Sequence, residues 1–164
     1  LMRIALSRGK ELIPLRDELE HARAYVNLQK MRYDYGFRVR WDVDEALLTT
    51  PIPKITLQPL IENAILHGVK AMEDEGEIAV VGRIEDGRAV ILVADNGYRE
   101  PDLALLRRLV SGEEADPDRG YGIRNIQQRI RLHFGDSYGL SYEKRDGGGL
   151  AAKLELPLRP EPNG

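Results

Sequence analysis

The sequence predicts an α+β fold in which helices pack against a mainly antiparallel sheet. Three segments space their apolar residues as helices do, and five others alternate or concentrate them as strands do. Their order along the chain is α-β-α-β-β-α-β-β. Consecutive strands are twice joined by short glycine-containing turns, Asp86-Gly87 and Gly147-Gly148-Gly149, which favour antiparallel pairing. This order predicts a two-layer α/β sandwich.

The first half of the chain is predicted to hold two helices and one strand. Residues 17–33 have helical spacing, and the acidic pair Asp17-Glu18 suits the positive end of a helix dipole. Residues 37–43 alternate apolar and polar side chains, which predicts a strand with one solvated face. A proline-rich turn at 51–53 then precedes a second helix over 54–69.

The second half is predicted to hold four strands and one long helix. Residues 71–76 form a polar loop, followed by strands at 77–84 and 88–94. The latter strand is apolar on both faces, so we expect it at the centre of the sheet. The remaining elements are an irregular acidic segment with a short helix, a long helix and two strands, at 97–119 (helix 102–110), 122–134, 140–145 and 150–156.

The composition is that of one globular domain. The 164 residues are 42% hydrophobic and 31% charged, which suits a chain that buries its own core. With 24 basic and 27 acidic residues and no basic cluster, the chain is not predicted to bind nucleic acid. Cysteine is absent, which excludes disulfides and thiolate metal sites. No apolar run approaches the roughly 18 residues that a membrane span needs.

Three motifs carry candidate chemistry. In Leu57–Gly68, Asn63 and His67 are four residues apart and therefore share a helix face, although a solvated amphipathic helix would have the same pattern. In Val93–Gly97, a central strand ends in Asp95, which could accept a hydrogen bond from a ligand or could simply begin a solvated turn.

The third motif, Gly120–Ile130, places two glycines immediately before a helix. Backbone N–H groups at a helix start can hold phosphate, although a flexible loop entering a helix would look the same. The three motifs together supply an amide oxygen for a metal, an acceptor for an amino group and a phosphate cradle. This combination predicts a nucleotide site.

The motifs resemble the N, G1 and G2 boxes of the Bergerat-fold ATPases, the group of gyrase, Hsp90, MutL and histidine kinases. The match is closer to LytS-type sensor kinases, whose Leu-Gln-Pro-Leu-x-Glu-Asn-Ala-x-x-His-Gly pattern is met by Leu57–Gly68. Their second pattern is met by Gly120–Ile130. Their lead-in helix is matched by Leu15, Glu18, Leu19, Tyr25, Gln29, Arg32 and Tyr33. The resemblance extends to Pro157.

The resemblance implies a role for each matching residue. Asn63 would ligate Mg²⁺, Glu62 would polarise the attacking nucleophile, and His67 would lie near the phosphates or orient the helix. Asp95 would accept a hydrogen bond from the adenine amino group, with Gly97 letting the backbone pass close to the base. Residues implied to hold the phosphates are Arg119, Gly120, Gly122, Ile123, Arg124 and Asn125. Residues 97–119 would form a mobile lid.

Three residues depart from the family pattern. Leu66 replaces a polar residue, Tyr98 begins a stretch without the usual second glycine, and Leu150 replaces a threonine. Each departure puts one ligand contact in question. The phosphoacceptor histidine of the family lies in a Pro-His-Phe segment upstream of Leu1, and neither His21 nor His133 has that context.

The resemblance therefore implies an ATP- and Mg²⁺-binding domain that phosphorylates an upstream histidine. We expect a cytoplasmic domain of a membrane-anchored, homodimeric parent that signals to a response regulator receiver domain, often of LytTR type in this family. Residues 1–33 would be the end of the dimerisation region and the lead-in helix, 34–157 the catalytic domain and 158–164 a tail. A non-catalytic nucleotide sensor and an anti-sigma-factor-type serine kinase remain alternatives.

Overall fold

The computed structural model describes residues 11–32, 36–97, 100–114 and 120–158. The helices are α1 (Leu15–Arg32), α2 (Leu57–Ala64), α3 (Leu103–Ser111) and α4 (Gly120–Phe134). The strands are β1 (Leu12–Pro14), β2 (Phe37–Val43), β3 (Pro51–Pro53), β4 (Gly76–Glu85), β5 (Arg88–Asp95), β6 (Gly139–Lys144) and β7 (Leu150–Pro157). The predicted features at 1–8, Tyr33, Tyr98, Arg119 and 159–164 lie outside the described residues.

Five strands form the main sheet in the order β2-β4-β5-β7-β6. Only the β2–β4 pair is parallel, and the other three pairs are antiparallel. The α+β prediction and the central position of β5 are therefore confirmed. Consecutive residues of β5 are buried on both faces of the sheet, which agrees with the continuous apolar sequence of this strand.

The hydrophobic core lies between one face of this sheet and the helices. Each helix contributes buried residues to it, and α1 alone contributes Leu15, Leu19, Ala22 and Val26. The sheet contributes alternate residues of its strands, such as Ile78 and Val80 of β4 and Ile91 and Val93 of β5. One layer of helices over one sheet gives the predicted two-layer sandwich.

Helix α2 is shorter than predicted because its hydrogen-bonding pattern changes after Ala64. The chain continues as a π-helical turn over Ile65–Val69 and a 3-10 segment over Lys70–Glu75. The prediction of a loop at 71–76 was therefore wrong. Pro59 lies in the first turn of α2, where the missing N–H would have no helical partner.

The predicted proline-rich turn at 51–53 is instead strand β3. It pairs antiparallel with β1, which the sequence pattern did not predict. The short helix predicted at 102–110 is α3, which Asp102 caps by accepting a hydrogen bond from Leu105 N–H and which ends at Gly112 with φ 87°. Leu106, Leu109 and Val110 of α3 are buried, so this part of the acidic segment is anchored to the core.

None of the helices in the described ranges combines the length and the apolarity needed to cross a membrane.

Asn96 joins the end of β5 to the start of β4. Its side-chain oxygen accepts a hydrogen bond from Glu77 N–H at 2.8 Å, and its side-chain nitrogen donates to the Glu75 carbonyl at 3.1 Å. Its main-chain N–H also donates to the Glu77 carbonyl at 3.2 Å. The side chain therefore continues the strand pairing beyond the last ladder residue.

We expect Asn96→Ala to lower the free energy of unfolding by about 1–2 kcal/mol, because two hydrogen bonds to the main chain are lost. Denaturant unfolding monitored by circular dichroism measures this change. The control is Asn27→Ala, on the exposed face of α1, which should change stability by less than about 0.5 kcal/mol. Equal stability of the two variants would show that Asn96 contributes nothing beyond turn propensity.

Candidate functional site

A cavity opens between α2, the sheet and α3. The apolar part of its lining consists of Leu60, Ala64, Val93, Pro101, Leu106, Ile123, Tyr142, Leu150 and Ala152. Its polar side chains are Asn63, His67, Asp95, Glu100 and Asp102, and two backbone surfaces are added by Gly97 and Gly149. Mostly apolar walls with a few converging polar groups are typical of small-molecule sites.

The floor of the cavity follows from strand register. Val93 of β5 lies opposite Ala152 of β7, and Ala152 lies opposite Tyr142 of β6. The three side chains therefore form one row across neighbouring strands, on the face that carries the helices. A flat apolar ligand would fit along such a row.

Asp95 ends the central strand at this floor and is 6% exposed. Its Oδ1 accepts a hydrogen bond from Gly97 N–H at 2.8 Å. Burial raises the pKa of the Asp95 carboxyl above its ordinary value, because a charged group loses hydration there. Main-chain hydrogen bonds from Gly97 and Leu150 and the positive charge of Arg145 act in the opposite direction.

Glycines allow the backbone to approach Asp95 closely from three directions. A Cβ atom on Gly68 would lie 2.6 Å from the Asp95 Cγ, and one on Gly97 would lie 3.0 Å from Oδ1. A Cβ on Gly149 would lie 2.0 Å from the Asp95 carbonyl oxygen. Any side chain at these positions would displace Asp95 or the segment that bears it.

The turn between β6 and β7 supports Asp95 from the sheet side. Its three glycines, Gly147, Gly148 and Gly149, have φ values of 86°, 116° and 101°, which L side chains rarely adopt. Arg145, just before them, donates from its guanidinium to the Asp95 carbonyl oxygen at 2.7 Å. The sequence had suggested only a hairpin here, because a contact 50 residues away leaves no local pattern.

Asn63 and His67 face the cavity from the opposite side, as their spacing predicted. Both line it, Asn63 from the last turn of α2 and His67 from the π-helical turn that follows. π-helical turns inside helices occur frequently at functional sites, since they re-aim side chains. The described residues hold no group of three or more His, Cys, Asp or Glu side chains that could bind a metal ion unaided.

Other predicted site residues lie outside the cavity lining. Glu62 and Asn125 are exposed. Gly122 lies against α2, since a Cβ there would be 3.2 Å from Pro59 Cβ. Arg124 is exposed beside Gly112, where an added Cβ would lie 3.1 Å from its Nε. Ile123, by contrast, is fully buried and lines the cavity.

Gly120, the first residue of α4, starts that helix two residues earlier than predicted. The first-turn N–H groups of α4 therefore include those of the glycine motif itself. Arg119 lies outside the described residues.

Several lining residues were missed by sequence reasoning. Glu100 and Asp102 lie in the segment predicted to be a lid, and Glu100 forms an ion pair with Lys144 of β6. Tyr142 and Ala152 were recognised only as strand residues. Strand alternation could have placed each on one face, but only the register shows that they meet. Of the three departures, Leu150 lines the cavity, whereas Leu66 is 37% exposed and absent from the lining.

Comparisons with known proteins identify relatives of this chain. A family model described as "Histidine kinase" matches residues 1–37. The chain is 32% identical over 156 residues to the sensor histidine kinase BtsS of Escherichia coli K12, covering 95% of this chain and 26% of that protein. It is 32% identical over 153 residues to the sensor protein LytS of Oceanobacillus iheyensis, covering 92% of this chain and 26% of that protein. The chain thus spans about a quarter of the length of these relatives.

The fold has a close counterpart among solved structures. The catalytic domain of the histidine kinase ThkA superimposes with a TM-score of 0.65, covering 91% of this chain and 97% of that one, at 16% identity. The sequence relatives are sensor histidine kinases, and the structural counterpart is a histidine kinase catalytic domain. The chain is therefore a homologue of the LytS-type sensor histidine kinases and has the fold of a histidine kinase catalytic domain.

Proposed function

We propose that this chain binds ATP with Mg²⁺ and, within a longer protein, transfers the γ-phosphoryl group to a histidine outside the chain. The observation that carries the proposal is the buried carboxylate of Asp95 at the base of an apolar cavity whose opposite wall bears Asn63 and His67. Titration of the 164-residue chain with ATP, with and without Mg²⁺, tests it directly. Absence of saturable binding would refute it.

Adenine fits the chemistry of the cavity floor. Its exocyclic amino group is a donor, and the ionised Asp95 carboxylate offers lone pairs only. Because the carboxylate is buried, a hydrogen bond to it counts for more than the same bond in water. The flat row of Val93, Ala152 and Tyr142 supplies an apolar surface for the ring.

Asn63 is the residue we assign to the metal. Mg²⁺ keeps several waters and usually takes one or two protein oxygens together with substrate phosphates, so one amide oxygen on the cavity wall fits this mode. A bound Mg²⁺ would neutralise part of the phosphate charge during transfer.

The phosphates are assigned to the N-terminal end of α4. Helix N-termini present unpaired N–H groups and a positive dipole end, both of which favour anions. Helix α4 begins at Gly120, and Ile123 of its first turn already lines the cavity. Gly122, Arg124 and Asn125 are assigned to this phosphate region, and Arg119 is assigned to it from the sequence resemblance alone.

The acceptor histidine is assigned to another segment of the parent protein. His21 is exposed on α1, and His133 is exposed in the last turn of α4, on the order of 16 Å along the helix from Gly122. Glu62 is exposed next to Asn63, a position suited to a carboxylate that acts on a group arriving from outside the cavity. His67 lines the cavity, so we assign it to phosphate contact or helix orientation.

The parent protein is assigned a place in a two-component system. We propose that the partner is the receiver domain of a response regulator, such as one of LytTR type. We further propose that the parent is a membrane-anchored homodimer with this domain in the cytoplasm. The exposed side chain of Leu66 bears on the alternative of a non-catalytic sensor. Leu66 does not line the cavity, so its departure from the family pattern leaves the cavity lining unchanged, and the contact it would remove is one to phosphates outside that lining.

Asp95→Asn should weaken ATP binding about 10- to 100-fold. A hydrogen bond to a charged group contributes about 1.5–3 kcal/mol, and each 1.4 kcal/mol is a decade in affinity. The side-chain amide would face the adenine amino group donor to donor, whereas guanine presents an acceptor there, so selectivity over GTP should fall as well. Calorimetric titration measures both, with Asp136→Asn on the exposed surface as the control. If the folded variant bound ATP with unaltered affinity, Asp95 would serve only to form the turn after β5 and would not bind the ligand.

Asn63→Ala should remove most of the enhancement of ATP binding by Mg²⁺ and leave metal-free ATP binding nearly unchanged. The reason is that the variant loses an oxygen ligand but keeps the adenine surface on the sheet. Paired titrations with Mg²⁺ and with a chelator measure the enhancement, and Asn27→Ala, on the exposed face of α1, is the amide-deleting control. Full Mg²⁺ enhancement in Asn63→Ala would move the metal to another ligand, Glu62 first.

The 164-residue chain should bind ATP without phosphorylating itself. Positioning two reactants contributes about 7–11 kcal/mol to such reactions, and none of its histidines is held at the phosphates as an in-line acceptor. Incubation with γ-labelled ATP should leave the chain unlabelled, and addition of the upstream segment should yield acid-labile phosphohistidine. Stoichiometric phosphate on His21 in the isolated chain would contradict this expectation. Failure of the extended protein to label, despite ATP binding, would favour the non-catalytic alternative.

A further inference from the structure

The turn that enters α2 has an unfavourable backbone conformation. Ile55 has φ 60°, in the left-handed region that β-branched residues rarely occupy, and its side chain is 54% exposed. Burial of the side chain therefore does not stabilise the turn. Such conformations persist only where surrounding contacts enforce them, so the contacts of residues 54–57 identify what enforces this one.

Glu18 of α1 supplies the first of these contacts. This carboxylate is 2% exposed and accepts hydrogen bonds from three consecutive N–H groups: Ile55 at 3.0 Å, Thr56 at 2.6 Å and Leu57 at 2.8 Å. A side chain 38 residues away thus caps α2. The adjacent Thr56 hydroxyl, which could have capped the helix, donates to the Pro53 carbonyl instead.

Arg129 of α4 supplies the second contact from the carbonyl side of the same turn. One guanidinium nitrogen donates to the Lys54 carbonyl at 2.6 Å, and the other donates to the Ile55 carbonyl at 2.9 Å. A planar fork of donors suits two neighbouring carbonyls, which a lysine ammonium would not engage in the same way. The turn is therefore held by an anion on its N–H groups and by a cation on its C=O groups.

The turn that Glu18 and Arg129 contact immediately precedes the helix that carries Asn63. Helix α2 runs directly from the turn to Asn63, two helical turns further on. The first turn of α2 also packs against α4 at Pro59 and Gly122. The entry of α2, which also packs its buried face into the core, is thus held by one residue on α1 and one on α4.

We propose that Glu18 and Arg129 are positioning residues that orient α2 so that Asn63 meets the Mg²⁺-bound phosphates. This inference rests on the proposed function. The adenine surface is built on β5, β7 and β6, whose side chains make none of these contacts. Loss of either residue should therefore affect binding of the phosphate and metal part of the ligand more than binding of its base.

Glu18→Gln is the first test. The substituted amide places N–H donors towards at least one of the three backbone N–H groups, so the cap is weakened while the side-chain volume is kept. We expect Mg-ATP affinity to fall about 10-fold or more and adenosine affinity to fall less than about threefold. A tenfold loss of affinity corresponds to about 1.4 kcal/mol of binding free energy. The control is Glu20→Gln, exposed on the same helix, which should leave both affinities unchanged.

Arg129→Lys carries the test independently if Glu18→Gln does not fold. It retains the positive charge and loses the planar fork of donors, and Arg131→Lys, exposed on the same helix, is its control.

Ile55→Gly provides a rescue, because glycine adopts φ 60° without steric cost. In the Glu18→Gln background it should restore part of the lost Mg-ATP affinity, because the turn then needs less support to hold its conformation.

The outcomes separate the two proposals. Lack of ATP binding by the unsubstituted chain would overturn the proposed function itself. Normal ATP binding, with equal losses for Mg-ATP and adenosine in Glu18→Gln and Arg129→Lys, would overturn the positioning role and leave the proposed function intact. Unchanged affinities in both variants would do the same.

Discussion

The convergence of three backbone segments on Asp95 is the constraint on which the candidate site depends. The π-helical turn after α2 approaches through Gly68, the loop after β5 through Gly97, and the start of β7 through Gly149. A Cβ on Gly68 or Gly149 would come closer to Asp95 than real Cβ atoms do, and a Cβ on Gly97 would be unusually tight. The wall that bears Asn63 and His67 therefore lies directly against the carboxylate at the cavity floor, so that one ligand can touch both.

Holding a carboxylate at such a convergence costs hydration. The structure offsets part of that cost with main-chain N–H groups and with the charge of Arg145, while burial still dominates and raises the pKa of Asp95. A buried carboxylate gains more from a ligand donor than a solvated one does. Under the proposed function, the arrangement gives up some folding stability for recognition, as functional sites commonly do.

The sequence predicted those parts of the site that depend on local spacing. Asn63 and His67 share a wall because they are one helical turn apart, and Asp95 lies at the floor because it ends the most apolar strand. Residues whose roles depend on distant partners were misread or missed. Glu18 suited the dipole of its own helix, yet its carboxylate caps a different helix, and nothing near Arg145 in the sequence indicates its contact with Asp95. The strands β1 and β3 were missed because each is only three residues long and their paired residues are 37 to 41 positions apart.

The floor of the site and its α2 wall are held in place by different kinds of contact. The floor is fixed by the ladder of the sheet, in which β5 pairs on both edges and cannot shift without breaking two sets of hydrogen bonds. The α2 wall has no such ladder, and its entry turn is held in a strained conformation by side chains of α1 and α4. A displacement of α1 would therefore act on the wall before it acts on the floor.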